Sequence, residues 1–203
     1  MPAPQAEENR SERFAAYIAA RRFDPPRPLL IRAATVAEPK DQALDAGAGA
    51  LNATKYLLDT GFAHVTAFDS APASQKVAEE LPPDRVSFVL SRYEDFTYPT
   101  DAFDLVNAEF SLPFVRRKNF AAVFNGLLGA VKSGGLFTGQ LFGPNDSWNN
   151  PESAMNFHSR AEVGLLLRGW TILELEEEDH PGKTKLGEDK HWHIFHILAR
   201  KPA

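Results

Sequence analysis

Leu44-Asp45-Ala46-Gly47-Ala48-Gly49 is the stretch on which the fold of this 203-residue chain turns. An apolar run, Ala43 to Ala46, ends in it, and a helical pattern from Ala50 to Asp59 follows, so the two glycines fall at a strand-to-helix turn. Glycine there lets the backbone approach a ligand where a Cβ would collide. The helix N-terminus beyond offers N–H groups that have no partner within the helix. The next strand-like run, Val65 to Phe68, ends in Asp69, twenty positions after Gly49. A carboxylate at that tip either accepts the ribose hydroxyls of a nucleoside or caps the following helix.

Outward from this turn, strand-length apolar bursts alternate with helical stretches. The bursts are Ala43 to Ala46, Val65 to Phe68, Val86 to Leu90, Phe103 to Asn107 and Leu136 to Phe142; the helices are Ala50 to Asp59, Ala73 to Leu81, Arg116 to Val131 and Arg160 to Arg168. Ser159 and Glu162 form a capping-box pattern before the last helix. This alternation predicts an α/β fold, a Rossmann-like, doubly wound and mostly parallel sheet with helices on both faces. Thr171 to Glu176 and Trp192 to Ala199 have no helical pattern between them and predict a C-terminal antiparallel hairpin. Upstream, Phe14, Tyr17 and Ile18 give helical spacing over Ser11 to Phe23. A second helical pattern covers Pro28 to Ala37, with prolines on either side. Residues 1–40 are thus expected as an N-terminal helical cap and 41–203 as the core of one domain.

With 43% hydrophobic residues and fifteen phenylalanines, the chain can bury a full core. It has no cysteine, which removes disulfides, thiolate metal sites and cysteine nucleophiles. The formal charge is -5, and Arg116, Arg117 and Lys118 are the one basic cluster, so a nucleic-acid partner is not expected. The polar segment Met1 to Arg13 lacks the apolar stretch of a secretory signal, and no later run reaches membrane-spanning length. A cytoplasmic location is expected. His191, His193 and His196 do not predict a metal site, because spacing fixes no further ligand.

A dinucleotide fingerprint would need a third glycine at position 52, where the chain has Asn52. Asp45 would repel a pyrophosphate but could hold an ammonium group. Both features favour a nucleoside cofactor without phosphates.

Leu44-Asp45-Ala46-Gly47-Ala48-Gly49, Asp69, Ala102-Phe103-Asp104-Leu105-Val106 and Lys132-Ser133-Gly134-Gly135-Leu136 together resemble the successive motifs of class I S-adenosylmethionine-dependent methyltransferases. The Pro-Pro-Arg-Pro-Leu-Leu segment and the stretch Phe110 to Phe114 are similar to a compact bacterial branch that includes tellurite-resistance methyltransferases. The resemblance implies S-adenosylmethionine as cofactor. It makes Asp45, Gly47 and Gly49 the methionine-side loop and Asp69, with Ser70 beside it, the ribose end. It places Tyr93 and Glu94 by the adenine, and Asn107 and Ala108 by the sulfonium methyl. Leu51 stands where many relatives have glycine, and Arg92 where an adenine-contacting aspartate often sits; backbone near Tyr93 or Asp95 could serve instead.

Methyl transfer is an in-line displacement that needs alignment, water exclusion and, for a protonated acceptor, a base. Open α/β sheets bind ligands at the carboxyl ends of their strands, so acceptor residues are sought in the long segments Gly143 to His158 and Asp179 to His191. Either these are solvated connectors or they build the pocket for a small-molecule acceptor. In the second case Asn145, Asp146 and Trp148, with Tyr17 and Phe110, line it, and His191 is the candidate base, since imidazole titrates near neutrality. A nucleotide-dependent oxidoreductase and a non-catalytic cofactor-binding protein are the competing functions.

Overall fold

The computed structural model describes residues 4–203, with side chains from Glu12 onward. Two helices come first, α1 (Pro4–Arg21) and α2 (Pro28–Val36). Pro28 suits the first position of α2, where an N–H would have no intrahelical partner. The core follows as β1 (Gln42–Ala46), α3 (Asn52–Asp59), β2 (His64–Asp69), α4 (Pro72–Ala78), β3 (Val86–Leu90) and β4 (Phe103–Ala108). After a short 3₁₀ turn at Leu112–Phe114 come α5 (Arg117–Ala130), β5 (Val131–Phe142), α6 (Arg160–Leu166), β6 (Thr171–Lys183) and β7 (Asp189–Arg200).

The seven strands form one sheet in the order β3-β2-β1-β4-β5-β7-β6. Strands β1 to β5 are parallel, and β7 is antiparallel to both β5 and β6. This is the doubly wound, mostly parallel sheet with a C-terminal hairpin that the sequence predicts. Side chains alternate between two apolar layers. Ala43, Val65, Leu105 and Leu136 face α2 and α3, whereas Leu44, Phe68, Val106 and Phe137 face α5. From β1 the chain winds outward through β2 and β3, then returns to the other side of β1 for β4. Such a reversal opens a crevice at the carboxyl ends of β1 and β4. The opposite end of the sheet is tied by buried Asp104, which accepts the N–H groups of Asp41 and Gln42 and pairs with Lys132 at 2.8 Å.

Several boundaries differ from expectation. Helix α1 starts at Pro4 and ends at Arg21. Strand β5 starts at Val131 instead of Leu136, because the Gly134-Gly135 pair is absorbed in an irregularity between Phe103↔Val131 and Leu105↔Leu136. The larger correction concerns Asp179 to His191, which is mostly strand: pairing continues to Lys183↔Asp189 and leaves only Thr184 to Glu188 as the turn. Pro181 and Gly182 resemble a turn, but β6 is an edge strand, where a missing N–H donor is tolerated. Since β5 ends at Phe142, opposite Ile194, the hairpin projects beyond the sheet. The acidic run on β6 is partnered, with Arg32 on Glu174 and Arg160 on Glu177. Among the described residues no helix is long and apolar enough to cross a membrane.

Candidate active site

The glycine loop after β1 contains three left-handed residues, Gly47 (φ 68°), Gly49 (φ 51°) and Leu51 (φ 57°). Leu51 is fully buried, and its packing against Ile18, Ala50 and Val77 offsets a backbone cost of roughly 1–2 kcal/mol. The N–H groups of Gly47 and Ala48 donate to the Phe68 carbonyl. Gly49 N–H donates to Asp69 Oδ2 at 2.9 Å, and Asp69 Oδ1 accepts from Ala71 N–H at 2.8 Å. Asp69 therefore ties the loop to the start of α4, and its oxygens keep lone pairs for further donors.

Below the loop, Tyr93 and Ser111 fix the carbonyl of Ala46. Their hydroxyls lie 2.8 and 3.0 Å from it and 2.6 Å from each other. A Cβ on Gly47 would come within 2.4 Å of Ser111 Cβ, so only glycine fits. The Tyr93 side chain thus supports the loop from the core. Burial pushes its phenol well above its ordinary pKa. Ser70, Arg92 and Glu94 are exposed at the surface.

On the α2 face, polar residues cross neighbouring strands in register, Asp45 on β1, Asn107 on β4 and Thr138 on β5. Parallel strands buried on both faces are normally apolar, so this row is an exception. Asp45 accepts from the Thr54 hydroxyl at 2.7 Å and the Asn107 amide at 2.9 Å, and burial raises its pKa. Three atoms near the row are buried without a partner: Asn107 Oδ1, Thr138 Oγ1 and Glu109 Oε1. An unmet buried polar atom costs about 1–3 kcal/mol, and these three are available to a ligand or water that reaches the crevice. Glu109 follows β4 directly, and burial lifts its carboxyl to about 7.

Helix α1 and the segment behind it roof this row. Arg27 stacks over Phe110 with its guanidinium 3.9 Å from the ring centre, Arg21 lies 5.7 Å from the Tyr17 ring, and Phe14 meets Phe114 edge-on at 6.3 Å. Asn52 donates to the Arg21 carbonyl at 2.7 Å. The tip of the β6–β7 hairpin reaches the same roof through Arg13–Glu188 and Lys185–Asp24.

Asn145, Asp146 and Trp148 are brought together and held against the hairpin. Lys190 and Asp146 form an ion pair with no side-chain exposure. The Lys190 ammonium lies 3.7 Å from the Trp148 ring centre and 4.4 Å from that of Trp192. Asn145 bonds Asp179 at 2.7 Å, and its N–H donates to His193. His191 is not brought to the polar row. It pairs with Asp179 at 2.5 Å on the projecting hairpin. His196, five residues later, contacts Phe110 and Gln140, so strand alternation turns His191 to the other face of the sheet. Arg27, Glu109, Gln140 and Ser111 carry no sequence pattern that assigns them to the site. Glu109 had one visible signal, an acid directly behind a strand that ends at the crevice.

Residues 44–138 match the family model described as a methyltransferase domain. No curated protein sequence matches the chain. Among solved structures it is similar to TehB from Haemophilus influenzae, at 19% identity and TM-score 0.72, covering 87% of this chain and 62% of that one. It is also similar to an S-adenosylmethionine-dependent methyltransferase from Methanosarcina mazei, at 16% identity and TM-score 0.65, covering 88% and 99%. A third is the 1,6-didemethyltoxoflavin-N1-methyltransferase of Burkholderia thailandensis with bound S-adenosylhomocysteine, at 20% identity and TM-score 0.64, covering 100% and 92%. The chain has the Rossmann-like methyltransferase fold, and the methyltransferase-domain match over residues 44–138 points to S-adenosylmethionine as its cofactor. The site suits that cofactor: the buried acid Asp45 and the free acceptor Asn107 Oδ1 beside it favour a ligand that carries an ammonium.

Proposed function

We propose that the chain methylates a small-molecule acceptor at the carboxyl ends of β1, β4 and β5, beneath α1. When bound, S-adenosylmethionine supplies a methyl group on a cationic sulfur. The Gly47–Gly49 turn and Asp45 would hold its methionine side, Asp69 the ribose, and Asn107 and Ala108 the region of the methyl. Backbone near Tyr93, rather than its phenol, is left for the adenine. The observation that carries this reading is the row of buried polar groups with unpaired acceptors at the crevice. The roof over it, closed by α1 and the hairpin tip, supports a small acceptor over a polymer, because a chain-like substrate would need an open groove. The formal charge of -5 also fits poorly with a nucleic acid. We place the reaction in the cytoplasm.

The test is calorimetric titration with S-adenosylhomocysteine, followed by mass spectrometry of an acceptor panel. Binding together with methylated small molecules is expected. A folded sample that shows no heat and no thermal shift with millimolar S-adenosylhomocysteine would refute it.

A further inference from the structure

Two carboxyl groups are withdrawn from solvent at the crevice, and they differ in what is left of their bonding. Asp45 has one oxygen taken by Thr54 and the other by Asn107. Glu109 keeps part of its surface exposed, yet its Oε1 is buried without a partner. The chain turns sharply behind it, because Phe110 is left-handed at φ 51°. That turn is held by the Phe110 N–H donating to Gln140 Oε1 at 2.9 Å, with the Gln140 amide 3.4 Å from His196 Nδ1 and Arg27 stacked on the Phe110 ring. A non-glycine residue in this conformation persists only where its surroundings fix it, and here they fix the direction of Glu109.

We infer that Glu109 is a catalytic base, whose Oε1 takes the proton from an acceptor that presents a neutral O–H or N–H. The inference rests on the methyl-transfer reading above. The acceptor's lone pair forms the bond to the methyl carbon while the carbon–sulfur bond breaks with its electrons left on sulfur. The acceptor's proton passes to Oε1 and then to water. The groups that face Glu109 set its readiness. Burial raises its pKa most, Arg27 lowers it, Asp45 raises it, and Gln140 and Arg21 lower it, with the result at about 7. Tyr17 on α1 lies beside Arg27, and His196 on β7 lies beside Gln140, with burial keeping His196 below its ordinary pKa. A base of that strength is half ionised at neutral pH, where proton transfer is most effective. The same carboxylate, with Asp45 behind it, disfavours an oxyanion acceptor, which has like charge and no proton to give.

The decisive experiment compares the full-length protein with Glu109→Gln and Glu109→Asp in two ways. Infrared difference spectra of the free protein should show a carboxyl that titrates near pH 7 and vanishes in Glu109→Gln. Assays with phenols, aromatic N-heterocycles and inorganic selenite should show wild-type turnover of the first two classes, rising as pH passes 7. Turnover should fall by about 100-fold or more in Glu109→Gln and be partly restored in Glu109→Asp, with S-adenosylhomocysteine affinity within about twofold throughout. A carboxyl titrating near 4.5, unchanged turnover in Glu109→Gln, or selenite as the preferred acceptor overturns the assignment. If Glu109→Gln does not fold, a wild-type rate that is flat between pH 6 and 8 overturns it equally. Failure of the wild type to bind S-adenosylhomocysteine at all would instead remove the methyl-transfer reading on which it stands.

Discussion

Asp146→Asn is the sharpest probe of how the segment after β5 is held. The substitution keeps the shape and leaves an oxygen for the Trp148 N–H, which Asp146 Oδ1 accepts at 3.0 Å, but it removes the anion from Lys190. Both side chains have no exposure, so the ammonium would remain buried without a counter-charge. Breaking such a pair from one side costs about 3–5 kcal/mol. The rings of Trp148, Trp192 and Phe142, at 3.7, 4.4 and 5.3 Å, retain part of the attraction and place the expected loss at the lower end, about 3 kcal/mol. For a domain of this size that is roughly 6–12 °C in melting temperature. Adding Lys190→Met removes the stranded charge while keeping an unbranched stem among the rings, so the double variant should recover to within about 1 kcal/mol of wild type. Urea denaturation and calorimetry at pH 7 measure both. A single-variant loss below about 1 kcal/mol, or no recovery in the double variant, would refute the view that a buried charge pair fastens this segment to the hairpin.

Glu109 should make stability fall with pH. Its folded pKa of about 7 lies above the 4.5 of an unperturbed glutamate, so between these values the folded state holds a proton that the unfolded chain releases. Wild type should lose on the order of 3 kcal/mol relative to Glu109→Gln between pH 4.5 and 7 and change no further above it; parallel urea midpoints of the two proteins would contradict this. Gly47→Ala should destabilise by about 2–4 kcal/mol because its Cβ meets Ser111, and Ser111→Gly should restore part of that but not the strain at φ 68°. No recovery in thermal melts would exclude the steric account. Asp69→Ala should weaken S-adenosylhomocysteine binding by about 1.5–3 kcal/mol, whereas exposed Arg92→Ala should leave it within about twofold; equal effects by calorimetry would argue against Asp69 as the ribose ligand.

The strands β1 to β4 were legible because each is a short apolar run between turn residues, and the glycine loop because a strand and a helix flank it. The capping box of α6 was also visible and forms, with Ser159 and Glu162 bonded reciprocally. The hairpin extension was hidden because Pro181 and Gly182 carry turn chemistry that only an edge position makes harmless. Trp148 reads as a free aromatic in a polar segment, and what covers it comes from 42 residues further on, where no local pattern announces Lys190. His191 and His196 are equivalent by type. Which of them faces the crevice depends on strand register, which the sequence left open. Asn107 reads as a strand end, but its pairing with Asp45 requires β1 and β4 to be neighbours, a fact of topology.

Strand β7 comes last along the chain among the seven, yet it lies inside the sheet, between β5 and β6. At ordinary translation speeds of ~5–20 residues per second, the 58 residues from Phe142 to Arg200 take about 3–12 s to emerge. For that interval a nascent chain carries an open β5 edge, and β6 has no other strand to pair with. A cut or frameshift within β7 would therefore leave an unfilled slot in the middle of the sheet and not a trimmed margin, and its product should be a substrate for chaperones and proteases.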